Sequence, residues 1–269
     1  MLYCVLGVVV TYFGRLLLDR YTDLANLGVY SFFLMLTLQV NGLWSSFNRA
    51  WTPEIFSKFL EDRKKAIENV EFMVFFSSFV YLLAIAAFII IGKLFLFKLL
   101  FKEIYLSNIY LFFVLLLVPL FTGIYMAAYP LYYYENRTKM ILLITILLSG
   151  ITIFLTLFMV RLFGSMGAAL AFFVVTMLTP PIYFFAFKKI MQIPSRIINF
   201  SLFIAGLMLV NVVIFLKTSS SVLFLIFIIF GVALAYKMGN LSKKKYLFFD
   251  FLRNIWKVIK PMRVARPLN

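Results

Sequence analysis

The chain has 269 residues, of which 64% are hydrophobic and only 13% charged, and its mean hydropathy is +1.03. Soluble domains carry about 25% charged residues, so an ordinary soluble core is excluded. Histidine is absent and cysteine occurs once, at Cys4, which removes an internal disulfide, a Ser–His triad and zinc chemistry from the candidate functions.

A bilayer core of about 30 Å needs about 20 apolar residues in helical form. The sequence supplies such stretches at 2–18, 27–44, 72–91, 110–132, 141–160, 166–187, 197–215 and 222–236. They are continuously apolar and lack period-2 alternation, so helices rather than a barrel are expected. The fold class that follows is an all-α integral membrane bundle of about eight transmembrane helices. The start has no basic n-region and no small-residue cleavage site, so it does not read as a secretory signal.

Between the second and third stretches, Thr52-Pro53-Glu54 has the chemistry of a helix start: a capping Thr, Pro at the first position and an acid at the positive dipole end. Ile55, Phe56, Phe59 and Leu60 then share a face, followed by Glu61 to Lys65. This predicts an amphipathic helix on the inner leaflet. The C-terminal segment 238–269 repeats the arrangement. Phe248, Phe251, Leu252, Ile255 and Ile259 recur at helical spacing, with Arg253, Lys257 and Lys260 on another face. A basic amphipathic interfacial tail is expected there, or a helix docked on the bundle. The chain thus divides into a bundle over 1–237 and a tail over 238–269.

The charge of +16 fits cytoplasmic loops and anionic lipid headgroups better than nucleic acid. Nineteen basic residues fall in one set of loops and the tail, including Arg49, Lys58, Arg63, Lys64, Lys65, Arg137, Lys139, Lys188, Lys189 and Arg196; six fall in the other set. The positive-inside bias then places both termini in the cytoplasm of a cytoplasmic (inner) membrane protein.

Inside the spans, Arg15 is the one cation, with Asp19 four residues on along the same face. Three readings stay open: a cation lining a path for an anionic substrate, a structural Arg15–Asp19 ion pair, or snorkelling to the interface. Pro119 interrupts the fourth stretch and Pro180-Pro181 the sixth, marking kinks, breaks or hinges. Gly164, Gly167, Ala168 and Ala169 form a small-residue patch read as close helix packing. Gln39 and Asn41 are weaker cavity candidates. No acid lies well inside a stretch, so little points to proton or sodium coupling. No cofactor, no metal and no enzymatic activity are expected.

Particular strings resemble the polysaccharide flippases (O-antigen, capsule and exopolysaccharide repeat-unit transporters) of the multidrug/oligosaccharidyl-lipid/polysaccharide exporter superfamily. Arg15-Leu-Leu-Leu-Asp-Arg-Tyr-Thr-Asp-Leu-Ala-Asn-Leu-Gly-Val-Tyr-Ser31 is similar to their seventh-to-eighth helix region, with Arg15, Gly28, Tyr30 and Ser31 matching and Gly14 in place of the usual acid. Ala50-Trp-Thr-Pro53, Tyr134-Glu-Asn-Arg-Thr-Lys139 and Leu162-Phe-Gly164-Ser-Met-Gly167-Ala-Ala169 follow in the same order. The resemblance implies the second bundle of a twelve-to-fourteen-helix flippase, with the first bundle missing from the chain. It further implies a polyprenyl-pyrophosphate-linked oligosaccharide substrate moved by alternating access. Arg15 is then the leading cavity residue, and Arg49, Arg137 and Lys139 are candidates to attract the anionic head, each having topology determination as its plainer role. Two competitors remain. One is a membrane polysaccharide polymerase or glycosyltransferase using Asp19 and Asp23; the other is a non-transporting half-protein.

Overall fold

The computed structural model describes residues 2–91, 102–134, 137–191, 193–218 and 221–241. No strand occurs among them. The helices are α1 (Leu2–Tyr21), α2 (Leu24–Glu61), α3 (Arg63–Ile91), α4 (Glu103–Ser107), α5 (Ile109–Leu116), α6 (Val118–Tyr134), α7 (Thr138–Met191), α8 (Ser195–Thr218) and α9 (Ser221–Leu241). Every expected apolar stretch is helical. Five segments are long and apolar enough to cross a bilayer: Leu24–Glu61, Arg63–Ile91, Ile109–Pro130, Thr138–Lys188 and Ser195–Leu216. The described residues are therefore all-α, with the long apolar helices of a multi-pass membrane protein. The tail 242–269, and with it the expected amphipathic tail helix, lies outside the described residues.

Short polar turns set the antiparallel order. The Thr22 hydroxyl donates to the Leu18 carbonyl at 2.7 Å and closes α1. Asp23 caps α2 by accepting the Asn26 N–H at 3.2 Å. At the far end of α2, Asp62 alone links to α3, and its carboxylate accepts the Lys64 N–H at 2.9 Å. The three helices thus form a meander, with α1 packed on α7 and α9 packed on α3.

Helix α7 is 54 residues long, but it reverses at Gly164, whose φ of 57° and ψ of −132° are non-helical. The two limbs are antiparallel: the Thr145 and Tyr183 hydroxyls meet at 3.0 Å, and Tyr183 also reaches the Ile141 carbonyl at 3.4 Å. The small-residue patch is what permits the reversal. A Cβ on Gly167 would sit 1.9 Å from the Met159 carbonyl oxygen, so only glycine fits. Ala168 and Ala169 are buried behind it. Lipid tails are as apolar as leucine, so such contacts hold helices together by close packing rather than by expulsion of water.

Three expectations are corrected. Thr52-Pro53-Glu54 does not start a helix; it lies inside α2. One missing N–H removes a single rung, and the Thr52 hydroxyl turns back to the Asn48 carbonyl at 2.7 Å. Ile55 and Phe59 are buried in the bundle core, whereas Phe56 is half-buried and Leu60 is 75% exposed, so protein covers only part of that face. At 1.5 Å per residue α2 is about 57 Å long and outruns the bilayer core.

Pro180 and Pro181 do not break α7, whose described dihedrals are non-helical at Gly164 only. Both prolines are buried within the second limb. In the fourth stretch the ladder is interrupted by one residue, Leu117, whose dihedrals stay helical (φ −76°, ψ −19°), and this leaves Pro119 in the first turn of α6 where it needs no N–H partner. The freed polar groups are satisfied: Leu117 N–H donates to Val114 at 3.1 Å, and the Tyr81 hydroxyl donates to the Leu116 carbonyl at 3.0 Å.

Aromatic rings fill the core. Phe33 stacks on Phe112 at 4.8 Å, Phe75 meets Phe200 edge-on at 4.7 Å, and Tyr132 packs on Phe187 at 4.4 Å. Asn211 is 1% exposed and donates to the Phe224 carbonyl at 3.3 Å, tying α8 to α9.

Candidate functional site

The bundle has two chemically different ends. Arg63, at the start of α3, donates to the Ile190 carbonyl near the end of α7 and lies over Phe59 at 5.6 Å. A guanidinium there also complements the negative end of the α7 dipole. Together with the Tyr132–Phe187 contact, this brings the α2–α3 link and the ends of α6 and α7 together at one end, the basic end. At the opposite end Arg161 donates to the Tyr21 hydroxyl at 3.1 Å, and Gly164 abuts Thr22. Among the described residues, the α2–α3 link and the end of α7 thus lie at the opposite end from the α1–α2 turn and the Gly164 reversal.

Arg15 sits in a joint between α1 and α2. It is half-buried, donates from Nη2 to the Ser31 carbonyl at 3.2 Å, and lies 4.9 Å from the Tyr12 ring centroid. Buried Tyr30 packs beside it; a Cβ on Gly14 would lie 3.0 Å from its hydroxyl. Arg15, Gly14, Tyr30 and Ser31, separate elements of one sequence motif, therefore meet in one contact. No ion pair links Arg15 to Asp19 among the described residues, and Asp19 is exposed. Asp23, the second acid of that turn, is the α2 cap. Replacing Arg15 by alanine is expected to remove a charged hydrogen bond worth about 1.5–3 kcal/mol. Thermal unfolding in detergent should record the loss, and Arg15→Lys should recover part of it.

Arg49, Arg137 and Lys139 are all exposed; Arg137 and Lys139 lie at the basic end, and Arg49 about 18 Å before the end of α2. Neither of the two cavities described is lined by any of them. Arg49 stands apart from the other two because of what precedes it on α2. Gln39, Gly42, Ser46 and Arg49 follow one another at three- and four-residue steps, and all are exposed. A Cβ on Gly42 would meet nothing within 4 Å, and the Ser46 hydroxyl folds back to the Gly42 carbonyl at 3.1 Å. The exposed surface of α7 is different: Leu143, Leu147, Phe154 and Phe158 are 54–71% exposed and wholly apolar. Face α7 suits hydrocarbon; the α2 stripe does not. Large exposed apolar groups also occur on α2: Met35 and Leu43, at the same three- and four-residue steps from Gln39 and Ser46, and Leu24 and Leu60 nearer its ends.

A cleft of about 940 Å³ opens beside the stripe, between α2 and α3 with α5 behind. Its walls are Phe, Leu, Val, Ile and Ala side chains together with Trp44, Tyr81 and Gln39. A second pocket of about 10 Å³ continues from Trp44 and Phe47 toward Gly123, whose Cβ would lie 3.1 Å from the Trp44 ring.

No protein-family model, curated protein or solved structure matches the chain significantly.

Proposed function

We propose that the chain forms one bundle of a flippase that moves a polyprenyl-pyrophosphate-linked oligosaccharide from the inner to the outer leaflet of the cytoplasmic membrane. The observation that carries this reading is the exposed stripe Gln39–Gly42–Ser46–Arg49 on a membrane-crossing helix. Polar groups at membrane depth face a bundle interior or a water-filled path, not lipid. A second bundle covering α2 would enclose such a path, with the sugar-pyrophosphate head inside and the prenyl chain in hydrocarbon. The basic end faces the cytoplasm, as the charge bias requires, and both termini lie there.

In this reading the cations divide their roles. Arg49 meets the pyrophosphate at the mouth of the path, where a guanidinium offers paired donors to phosphate oxygens. Arg15 holds α1 against α2. Arg137 and Lys139 attract the head electrostatically from outside the path. Helix α2 is the element that would move, since the one-residue link at Asp62 and the short turn at Thr22-Asp23 are the joints at its ends.

The test is leaflet transfer in vesicles. A polyprenyl-pyrophosphate disaccharide is loaded into both leaflets, and a membrane-impermeant sugar-cleaving enzyme reports the accessible pool over time. Vesicles holding the chain, alone or with a separately expressed partner bundle, should empty the inner pool faster than protein-free vesicles. Equal rates in all three preparations would sink the reading.

A further inference from the structure

Trp44 lines both spaces beside α2: the open cleft and the small pocket between α2, α3 and α6. Its indole Nε1 is buried and has no hydrogen-bond partner among the described residues. Depth makes that costly. Ser77, on the α3 wall of the pocket, is the middle residue of Arg63–Ile91, so the pocket lies deep in the bilayer. A polar group buried away from water is unfavourable unless it is paired, and the hydrocarbon around the bundle offers it no partner.

The pocket can supply one. Its volume of about 10 Å³ is that of about one water-sized sphere. Wholly apolar cavities stay dry, but this one has two polar groups in its lining besides the indole. The Ser77 hydroxyl donates to the Val74 carbonyl at 3.2 Å, which leaves its oxygen lone pairs open to accept. Asn48 brings a side-chain amide, a donor and an acceptor in one group. Indole, hydroxyl and amide together offer a guest about three hydrogen bonds, the number that a buried water typically makes. Gly123 keeps the N–H uncovered. A Cβ there would lie 3.1 Å from the Trp44 ring and 3.3 Å from Nε1 itself.

We propose that this pocket binds one water molecule, which accepts from the Trp44 Nε1–H and donates to the Ser77 hydroxyl oxygen and the Asn48 amide oxygen. The water joins α2 to α3 at mid-membrane, where the apolar side chains around it supply only close packing. The site needs these helices alone and stands apart from the flippase reading.

The experiment is ultraviolet resonance Raman spectroscopy of the full chain in lipid nanodiscs, read at the indole band that reports N–H hydrogen bonding. Each spectrum is taken as the difference from the same protein carrying Trp44→Phe, which removes the signals of Trp51 and Trp256. The parent should show a hydrogen-bonded N–H. Ser77→Ala leaves room for the water and its Asn48 contact, so the band should stay in place. Gly123→Ala sets a methyl group 3.3 Å from Nε1, and Ser77→Val fills the pocket from the α3 side. Each should move the band to the free N–H position. The two fillers act from different helices, so one decides the matter if the other alters the size-exclusion profile. A free N–H in the parent means a dry pocket and overturns the proposal. Loss of the bond in Ser77→Ala would make Ser77 itself the partner, and a bond that persists in the fillers would place the partner outside the pocket. Either result overturns the water site.

Discussion

Gly167→Val should abolish the folded bundle, and Gly167→Ala should cost at least about 3 kcal/mol. The cause is backbone against backbone: any Cβ at 167 falls 1.9 Å from the Met159 carbonyl oxygen and 2.4 Å from its carbon. No rotamer relieves this, so the α7 limbs must part. Parting them loosens the Thr145–Tyr183 contact and the seat of α1, which packs on α7. A loss of that size lowers the melting temperature by on the order of 10 °C in a chain of this length. Gly206→Ala is the control: it lies in α8 with nothing within 4 Å of its Cβ, and alanine there should be neutral or gain up to about 1 kcal/mol. Fluorescence-detected size exclusion after graded heating measures both. A Gly167→Ala protein as heat-stable as the parent would mean that the limbs do not approach as described.

The second large effect is on transport. Hydrogen bonds to a charged group are worth about 1.5–3 kcal/mol, so Arg49→Ala should slow leaflet transfer about ten- to a hundredfold. Arg49→Lys keeps the charge but not the paired donors and should fall between. Arg49→Glu should be slower than Arg49→Ala, because a carboxylate repels the pyrophosphate. None of the three should alter thermal stability, since Arg49 is exposed. Arg15→Ala is predicted to behave in the opposite way, with lower stability and, per folded molecule, an unchanged rate. A parental transfer rate for Arg49→Ala, at normal abundance, removes Arg49 from the path.

Much of the fold was legible because continuous apolar runs leave a chain few choices in lipid. Gly164 and Gly167 were also readable as close packing, although the spacing did not announce how close. What the sequence hid was local competition. Thr52-Pro53-Glu54 carries every mark of a helix start, yet burial of Ile55 and Phe59 carries α2 through it. Pro180-Pro181 looked like a break, but the helix runs on through both buried prolines. Asn211 was overlooked, although a lone amide between valines in an apolar run is itself a signal of a helix–helix contact. The site was harder. Arg15 drew attention as the charge at depth, but spacing cannot distinguish a partner four residues away on its own helix from a carbonyl on the next one. Gln39 and Arg49 were each visible; that they share one exposed face with Gly42 and Ser46 required knowing which side of α2 the bundle covers.

The central claim is that this face of α2 meets water while the exposed face of α7 meets lipid. Single cysteines test it most directly, in a Cys4→Ser background within native membranes. Gly42→Cys and Ser46→Cys are compared with Leu147→Cys and Phe154→Cys, using a membrane-impermeant maleimide applied from the cytoplasmic side. The account predicts that the two α2 positions are labelled and the two α7 positions are not. Cysteines at 42 and 46 as inert as those at 147 and 154 would place the stripe in lipid and contradict the hydrated path.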